Sequence, residues 1–361
     1  MFYYFLIAFL VIISQLKLKN SKANKFFSCF TTFLIVCLLV IVALVMPLRI
    51  DMVRYLGIYE TNKLLSLPEA FAYVRWEPGF VTYQWVLSQI STSKYFFMTI
   101  TVLIILVIII VALKKIISPE FVPLILFGYL SLFYFYNFLS NALRQGFAIT
   151  LLLLVIVYLA KNHYKKALVF LGISLLFHVS AIIGVLLFII KKLNISLKFL
   201  CIVFGISALL MITGINQKIM TNVAVLFGGG LEDAVVKYSS ESFISLYGAV
   251  NRMDFLMFTA VWIIWGLLVY KRYLKNDTLF EWILKAYISF ATIYVLFGFI
   301  GFSDRLAGYA WFLIPIILFY PSIKMDTRFK FIWIMICIAI SIILFLVFGT
   351  YSLYEPLKLL Y

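Results

Sequence analysis

Long apolar runs recur along almost the whole chain, near 2–16, 26–47, 95–113, 121–139, 144–160, 167–190, 199–213, 254–270, 279–301, 306–322 and 330–350. Most approach the roughly 20 residues that a helix needs to cross about 30 Å of hydrocarbon. Inside lipid every backbone N–H and C=O must find a partner within the protein, so only helices or a closed barrel can span. The short alternating segments of a barrel are absent. With 65% hydrophobic and 12% charged residues, the chain carries more apolar surface than a soluble core absorbs. The expected fold class is therefore all-α, a polytopic integral membrane protein with about 10–12 transmembrane helices. One transmembrane domain over 1–361 is the simplest organisation, because no internal repeat or low-complexity linker divides it.

The first run, MFYYFLIAFLVIISQL, has no basic leader and no small-residue cleavage signal, and so reads as a retained helix. Cys29, Cys37, Cys201 and Cys337 stand singly inside apolar runs, which predicts buried free thiols.

Lysine sets the expected orientation. The segments 17–25, 114–115, 161–166, 191–198, 271–275 and 324–330 are short and basic, which places them in the cytoplasm by the positive-inside rule. This topology explains most of the formal charge of +16 without nucleic acid, and no nucleic-acid-reading motif accompanies it. One conflict remains: 161–166 and 191–198 flank a single run, 167–190. Two glycines and His178 lie within that run, so a re-entrant or broken helix pair near His178 would put both lysine clusters on one side. Both termini and the two long loops, 48–94 and 214–253, then lie outside the cytoplasm. A plain long helix, with parity broken elsewhere, is the alternative.

That orientation separates arginine from lysine. Of eight arginines, Arg49, Arg54, Arg75, Arg144, Arg252 and Arg305 fall on the outer side, where topology gives no reason for them. A guanidinium is a planar fork that grips phosphate or carboxylate with two bonds. The set points to an anionic ligand; pairing with Asp51, Glu77, Asp254 or Asp304 is the structural alternative.

Four stretches could carry chemistry. In MPLRIDMVRYLGIYE, Arg49 and Arg54 flank Asp51, with Tyr55 and Tyr59 at the membrane boundary. In VRWEPGFVTYQW, Glu77 precedes Pro78 and Gly79, a turn or helix entry where burial could raise a carboxyl toward general-base duty. In NALRQGFAI, Asn141 is a plausible N-cap, with Arg144 about one turn in and Gln145 beside it. An ionisable group there is a functional-site hypothesis, with snorkelling to headgroups as the plainer alternative. His178, in LLFHVSAI, could act as base, bind phosphate or serve structure, whereas His163 lies in a lysine-rich turn. GFSDRLAGY adds Asp304, Arg305 and Tyr309 at another helix start. FGGGLED lacks the GK[ST] of a phosphate loop, and HExxH, GxSxG and DxD are absent, so no metal site or serine nucleophile is expected.

In order, RIDMVRY, WEPGF, NALRQGFAI, LLFHVSAI and SDRLAGY resemble the EpsG family of Wzy-type polysaccharide polymerases over about residues 45 to 310. The family-like positions are Arg49, Asp51, Tyr55, Glu77, Gly79, Asn141, Arg144, Gln145, His178, Arg305 and Tyr309. Where the family's pattern is more polar after its first acid, this chain has MVRY.

The resemblance implies a multi-pass enzyme of the bacterial inner (plasma) membrane, active on the periplasmic side. It would move a growing glycan from undecaprenyl diphosphate onto a lipid-linked oligosaccharide repeat unit. The product would be O-antigen, capsule or exopolysaccharide. Membrane lipid surrounds the protein, a chain-length regulator is a possible partner, and no cofactor is implied. Arg144 and Arg305, with Arg49 and Arg54 behind them, are the expected diphosphate ligands. Glu77, Asp51 and His178 are the candidates to take the acceptor's proton. Tyr55, Asn141, Gln145, Asp304 and Tyr309 are further substrate contacts. A flippase for the same lipid-linked sugars, or an O-antigen ligase, would use a similar arginine-rich site.

Overall fold

The computed structural model describes residues 2–15, 21–325 and 327–349, without the side chains of residues 21, 22, 246, 247, 327, 328 and 349. Lys17 and Lys19 of the first basic segment, and the tail from 350 onward, lie outside the described residues. All regular structure among the described residues is helical. Among the described residues, seven helices are long and apolar enough to cross a membrane, or nine if each of two bent pairs is one span. The protein is thus a polytopic, multi-pass membrane protein. The apolar runs do not map one to one onto spans: the first forms a helix of 14 residues, 121–139 bends at Leu132, and 167–190 breaks at His178.

The chain forms two compact units, 1–184 with 318–361, and 185–317. The first contains α1 (Phe2–Gln15), α2 (Ser21–Val45), α3 (Ile50–Asn62), α4 (Leu67–Tyr73), α5 (Pro78–Ile90), α6 (Lys94–Lys114), α7 (Val122–Ser131), α8 (Phe133–Ser140), α9 (Leu143–Ala160) and α10 (Tyr164–Phe177). Helix α9 is apolar on every side and buried along nearly its whole length, as expected of a helix at the centre of a bundle. It packs against α6, α8 and α10.

The polar stretch 48–94 is mostly helical. Ser66 and Glu69 form a capping box that starts α4, with Pro68 in its first turn. Glu77 is the N-cap of α5 and Pro78 its first helical residue, a position where proline's fixed φ and missing N–H do no harm. Helices α3 to α5 share a small core of Ile58, Ala70, Val74 and Val81, with Trp76 and Trp85 packed on it.

Two breaks shape the rest of this unit. Between α7 and α8 the chain bends by 86°, with Leu132 extended at the corner. Helix α10 ends at Phe177 because His178 is extended, at φ −159° and ψ 125°. A 3-10 turn, Val179–Gly184, follows. This is the broken helix that the sequence predicts near His178.

The second unit holds α11 (Val185–Lys192), α12 (Leu197–Ile212), α13 (Ile215–Phe227), α14 (Gly229–Tyr238), α15 (Glu241–Tyr247), α16 (Met253–Tyr273), α17 (Thr278–Leu296) and α18 (Asp304–Trp311). Helix α19 (Ile314–Lys324) begins in it, and α20 (Thr327–Leu344) belongs to the first unit. Helix α17 is central, in contact with α11, α12, α13, α16 and α18. Helices α12 and α13 meet at 107°, a turn that needs the left-handed Gly214, φ +74°. Asn216 then donates to Asn251 Oδ1 at 3.0 Å and to the carbonyl of Val295 at 3.3 Å, which ties the helical 214–253 stretch to the end of α17.

All four cysteines are free, but only Cys337 is buried, and Cys29 is exposed. Burial was the wrong expectation for Cys29 because the outer face of a spanning helix such as α2 meets hydrocarbon, where a thiol is as acceptable as in a core.

Candidate functional site

Arg144 is the second residue of α9, just past the α8–α9 corner. That corner is tight: a Cβ on Gly146 would lie 2.5 Å from the Phe138 carbonyl oxygen, so only glycine lets the two helices close there. Asn141 is the C-cap of α8, not the N-cap of α9; Ala142 holds that position. The expected cap fails because the chain folds back so sharply that Asn141 still belongs to the preceding helix, its Nδ2 donating to Asn137 Oδ1 at 3.0 Å. Gln145 is buried beside Arg144.

From this corner the Arg144 guanidinium reaches Glu77 at the head of α5, with Nη1 donating to Oε2 at 2.7 Å. Its Nε donates to the Tyr55 hydroxyl at 3.3 Å. Its Cζ lies 5.2 Å from the centre of the Trp76 ring and 5.9 Å from that of Tyr55, cation–π distances. Arg54, one residue before Tyr55 on α3, places its Cζ 5.3 Å from the same Trp76 ring. Tyr55, Trp76 and Phe80 pack edge to face around this group.

The other oxygen of Glu77 joins it to the broken helix, because the Val179 N–H donates to Oε1 at 3.0 Å. The close approach of α5 to α10 depends on Gly79. A Cβ there would stand 2.7 Å from the Leu176 carbonyl oxygen and 2.8 Å from the Leu176 Cβ. Phe147 of α9 stacks on Phe177 of α10, and Tyr83 of α5 meets Phe147 edge to face and Phe177 at a tilt. The corner of α9, the head of α5 and the break of α10 are thereby held in one place.

Burial by itself pushes the Glu77 carboxyl up, but the Arg144 guanidinium, His178 and the Val179 N–H outweigh it and hold Glu77 below the usual carboxylate range. This corrects the expectation of a base raised by burial: with a cation in contact, the Coulomb term wins over desolvation. Glu77 is an ionised partner of Arg144 in this arrangement.

His178 is fixed from its own turn. The Ser180 N–H donates to Nδ1 at 3.1 Å, and the Ser180 hydroxyl lies 2.8 Å from the same nitrogen. A backbone N–H can donate only to an unprotonated Nδ1, so the neutral ring carries its proton on Nε2. In that tautomer Nε2 is the ring's hydrogen-bond donor. His178→Gln, which keeps an N–H at a similar reach, is expected to retain activity within about tenfold, where removal of a general base costs about 10²–10⁴-fold. Comparing turnover of His178→Gln with His178→Ala decides between the two roles, since equal collapse of both would restore the base.

The remaining sequence candidates are less closely joined. Arg49 is the exposed N-cap of α3 and Asp51 is half-buried in its first turn, upstream of Tyr55. In the second unit Asp304 and Arg305 open α18, and the Arg305 Cζ lies 4.9 Å from the Phe302 ring. Tyr309 is buried and meets Phe290 edge to face. Arg252 pairs with Asp254 on the surface, as the structural alternative for these arginines supposed.

Two contributors escaped the sequence reading. Trp76 stands between Arg75 and Glu77, and at a membrane boundary a tryptophan is first taken for part of the aromatic belt. Ser180 follows His178 by two residues, but its role depends on a chain break that no periodicity displays.

No curated protein and no solved structure matches the chain. The EpsG family profile matches residues 30–358, and so takes in Tyr55, Trp76, Glu77, Arg144 and His178 together. A multi-pass helical membrane protein with these five side chains at one site belongs to the EpsG family, a membership that fits a polysaccharide polymerase-type role.

Proposed function

We propose that the protein is a membrane glycosyltransferase that polymerises undecaprenyl-diphosphate-linked repeat units at the outer face of a bacterial inner membrane. The supporting observation is the convergence of two guanidiniums, Arg54 and Arg144, on one indole with a single carboxylate, Glu77, in contact. Two cations and one anion leave positive charge available to a diphosphate. The half-buried ring of Trp76 suits the C–H face of a sugar ring.

In the proposed reaction, the acceptor hydroxyl oxygen attacks the anomeric carbon of the donor glycan. The bond from that carbon to the diphosphate oxygen breaks, and the electron pair leaves with the lipid diphosphate. Arg144 and Arg54 stabilise this growing charge, which is larger in the transition state than in the ground state. When the diphosphate takes the Arg144 fork, Glu77 loses the cation that held it acidic and becomes the base that accepts the hydroxyl proton. His178 Nε2–H donates to the departing oxygen. Asp51 is the second candidate for the base, and Arg49 and Arg305 for the diphosphate.

The test is reconstitution. Purified protein in liposomes, supplied with a lipid-linked repeat unit, is expected to give a ladder of longer lipid-linked glycans on a gel, and Arg54→Ala a ladder about tenfold weaker. In cells, a deletion strain is expected to leave a single repeat unit. Normal long chains from that strain would rule out polymerisation; loss of even the single-repeat product would favour a flippase or ligase.

A further inference from the structure

At one end of the second unit, three helix termini gather a second charged cluster. Lys191 and Lys192 form the last turn of α11, Tyr270, Lys271 and Arg272 close α16, and Glu281, Trp282 and Lys285 lie in the first two turns of α17. It belongs to the end that carries the lysine-rich segments 191–198 and 271–275.

The bonding within it is uneven. Glu281 is committed on both oxygens, Oε1 to the Lys285 ammonium at 2.8 Å and Oε2 to the Tyr270 hydroxyl at 2.9 Å. Asp277, the nearest other acid in sequence, caps α17 by accepting from the Phe280 N–H. Lys191 has no carboxylate among the described residues. Its ammonium lies 5.2 Å from the Trp282 ring centre. Burial, and after it the Lys285 ammonium, hold Lys191 below the usual lysine range. Lys191, Lys192, Lys271, Arg272 and Lys285 against Glu281 and Asp277 thus leave a net positive charge beside a buried indole.

Trp282, beneath Lys191, lies one turn of α17 before Lys285, whose own carboxylate is already in place. An anion between Lys191 and Lys285 would turn the repulsion into two charge-assisted hydrogen bonds. The same end exposes Ile189 and Leu193 on or just beyond α11 and Leu268 on α16, apolar surface of the kind an acyl chain covers. We infer that Lys191 and Lys285, beside Trp282, bind the phosphodiester headgroup of an anionic phospholipid. Basic pockets between membrane helices commonly recognise such headgroups. This site stands apart from the glycosyl-transfer proposal and does not depend on it.

The test is native mass spectrometry of the full-length protein in detergent, titrated with phosphatidylglycerol or phosphatidylcholine. Wild type is expected to hold one phosphatidylglycerol at least about tenfold more tightly than phosphatidylcholine, because two ammonium contacts are made. Lys191→Ala should lose that preference, while Lys191→Arg and Lys192→Ala, the latter exposed, keep it. Equal loss in Lys191→Ala and Lys192→Ala would overturn the site in favour of diffuse charge. Glycerol 3-phosphate competing as well as the lipid would overturn the lipid and leave a soluble phosphate as ligand. If Lys191→Ala fails to fold, Lys191→Arg against Lys191→Gln carries the same comparison.

Discussion

Arg144→Ala is expected to stop chain elongation, lowering turnover by about 10²–10³-fold, the loss seen when one preorganised donor to developing negative charge is removed. The effect has a second component in stability. Arg144 and Glu77 are mostly shielded, with side-chain exposures of 21% and 16%. Removing one partner leaves the other charge without its counterion, which costs about 3 kcal/mol for a buried pair. The double variant Arg144→Ala with Glu77→Gln separates the two, since it should recover much of the thermal stability and none of the activity. Recovery of both would mean that the pair only holds the helices together. Arg144→Lys should also be poor, because an ammonium cannot reproduce the fork that meets Glu77 and Tyr55 at once.

The same pair sets an acid limit. Glu77 is held below the usual carboxylate range in the folded protein, so the unfolded chain binds its proton more readily. Stability from this group is fully present above the unfolded value of about 4.3 and is lost as pH falls through the depressed folded value. Thermal melts of wild type should therefore fall more steeply below about pH 5 than those of Glu77→Gln.

Gly79→Ala is expected to be a severely damaging single-methyl change in the first unit. The new Cβ would press on the backbone carbonyl of Leu176 at 2.7 Å, and a carbonyl in a helix cannot rotate away as the tip of a side chain can. Helices α5 and α10 must part, at about 1–3 kcal/mol for overpacking of this kind. That movement withdraws Glu77 from the Val179 N–H and loosens its hold on Arg144. Activity should fall by more than tenfold even at temperatures where the variant stays folded, since such sites tolerate little displacement. Gly57, whose Cβ would meet nothing within 4 Å, is the matched control, and Gly57→Ala should behave as wild type. Full activity in Gly79→Ala would show that the α5–α10 contact does not position the site.

Much of the protein is legible without coordinates. Spanning helices are encoded by length and hydrophobicity, local properties that survive in a one-dimensional string, so the all-helical membrane class follows directly. The break at His178 is legible for a related reason, because a polar side chain and two glycines interrupt an otherwise continuous apolar run. Arg144 also announces itself, as a charge in the first turn of an apolar helix.

What each residue does was decided by tertiary packing. Glu77 is 67 positions from Arg144, and Val179 is 102 from Glu77. Nothing in sequence spacing reports that three helix ends meet there. Burial alone predicts a raised carboxyl, and only the guanidinium in contact reverses the sign. Asn141 matched the composition of an N-cap, but the sharpness of the α8–α9 corner assigned it to the helix before. The sequence by itself determined the class of fold and the inventory of charged groups, because both depend on hydrophobic run length and residue type. Only the tertiary structure decided which charges neutralise one another, because electrostatic energies depend on separation and burial, which the order of residues along the chain does not contain.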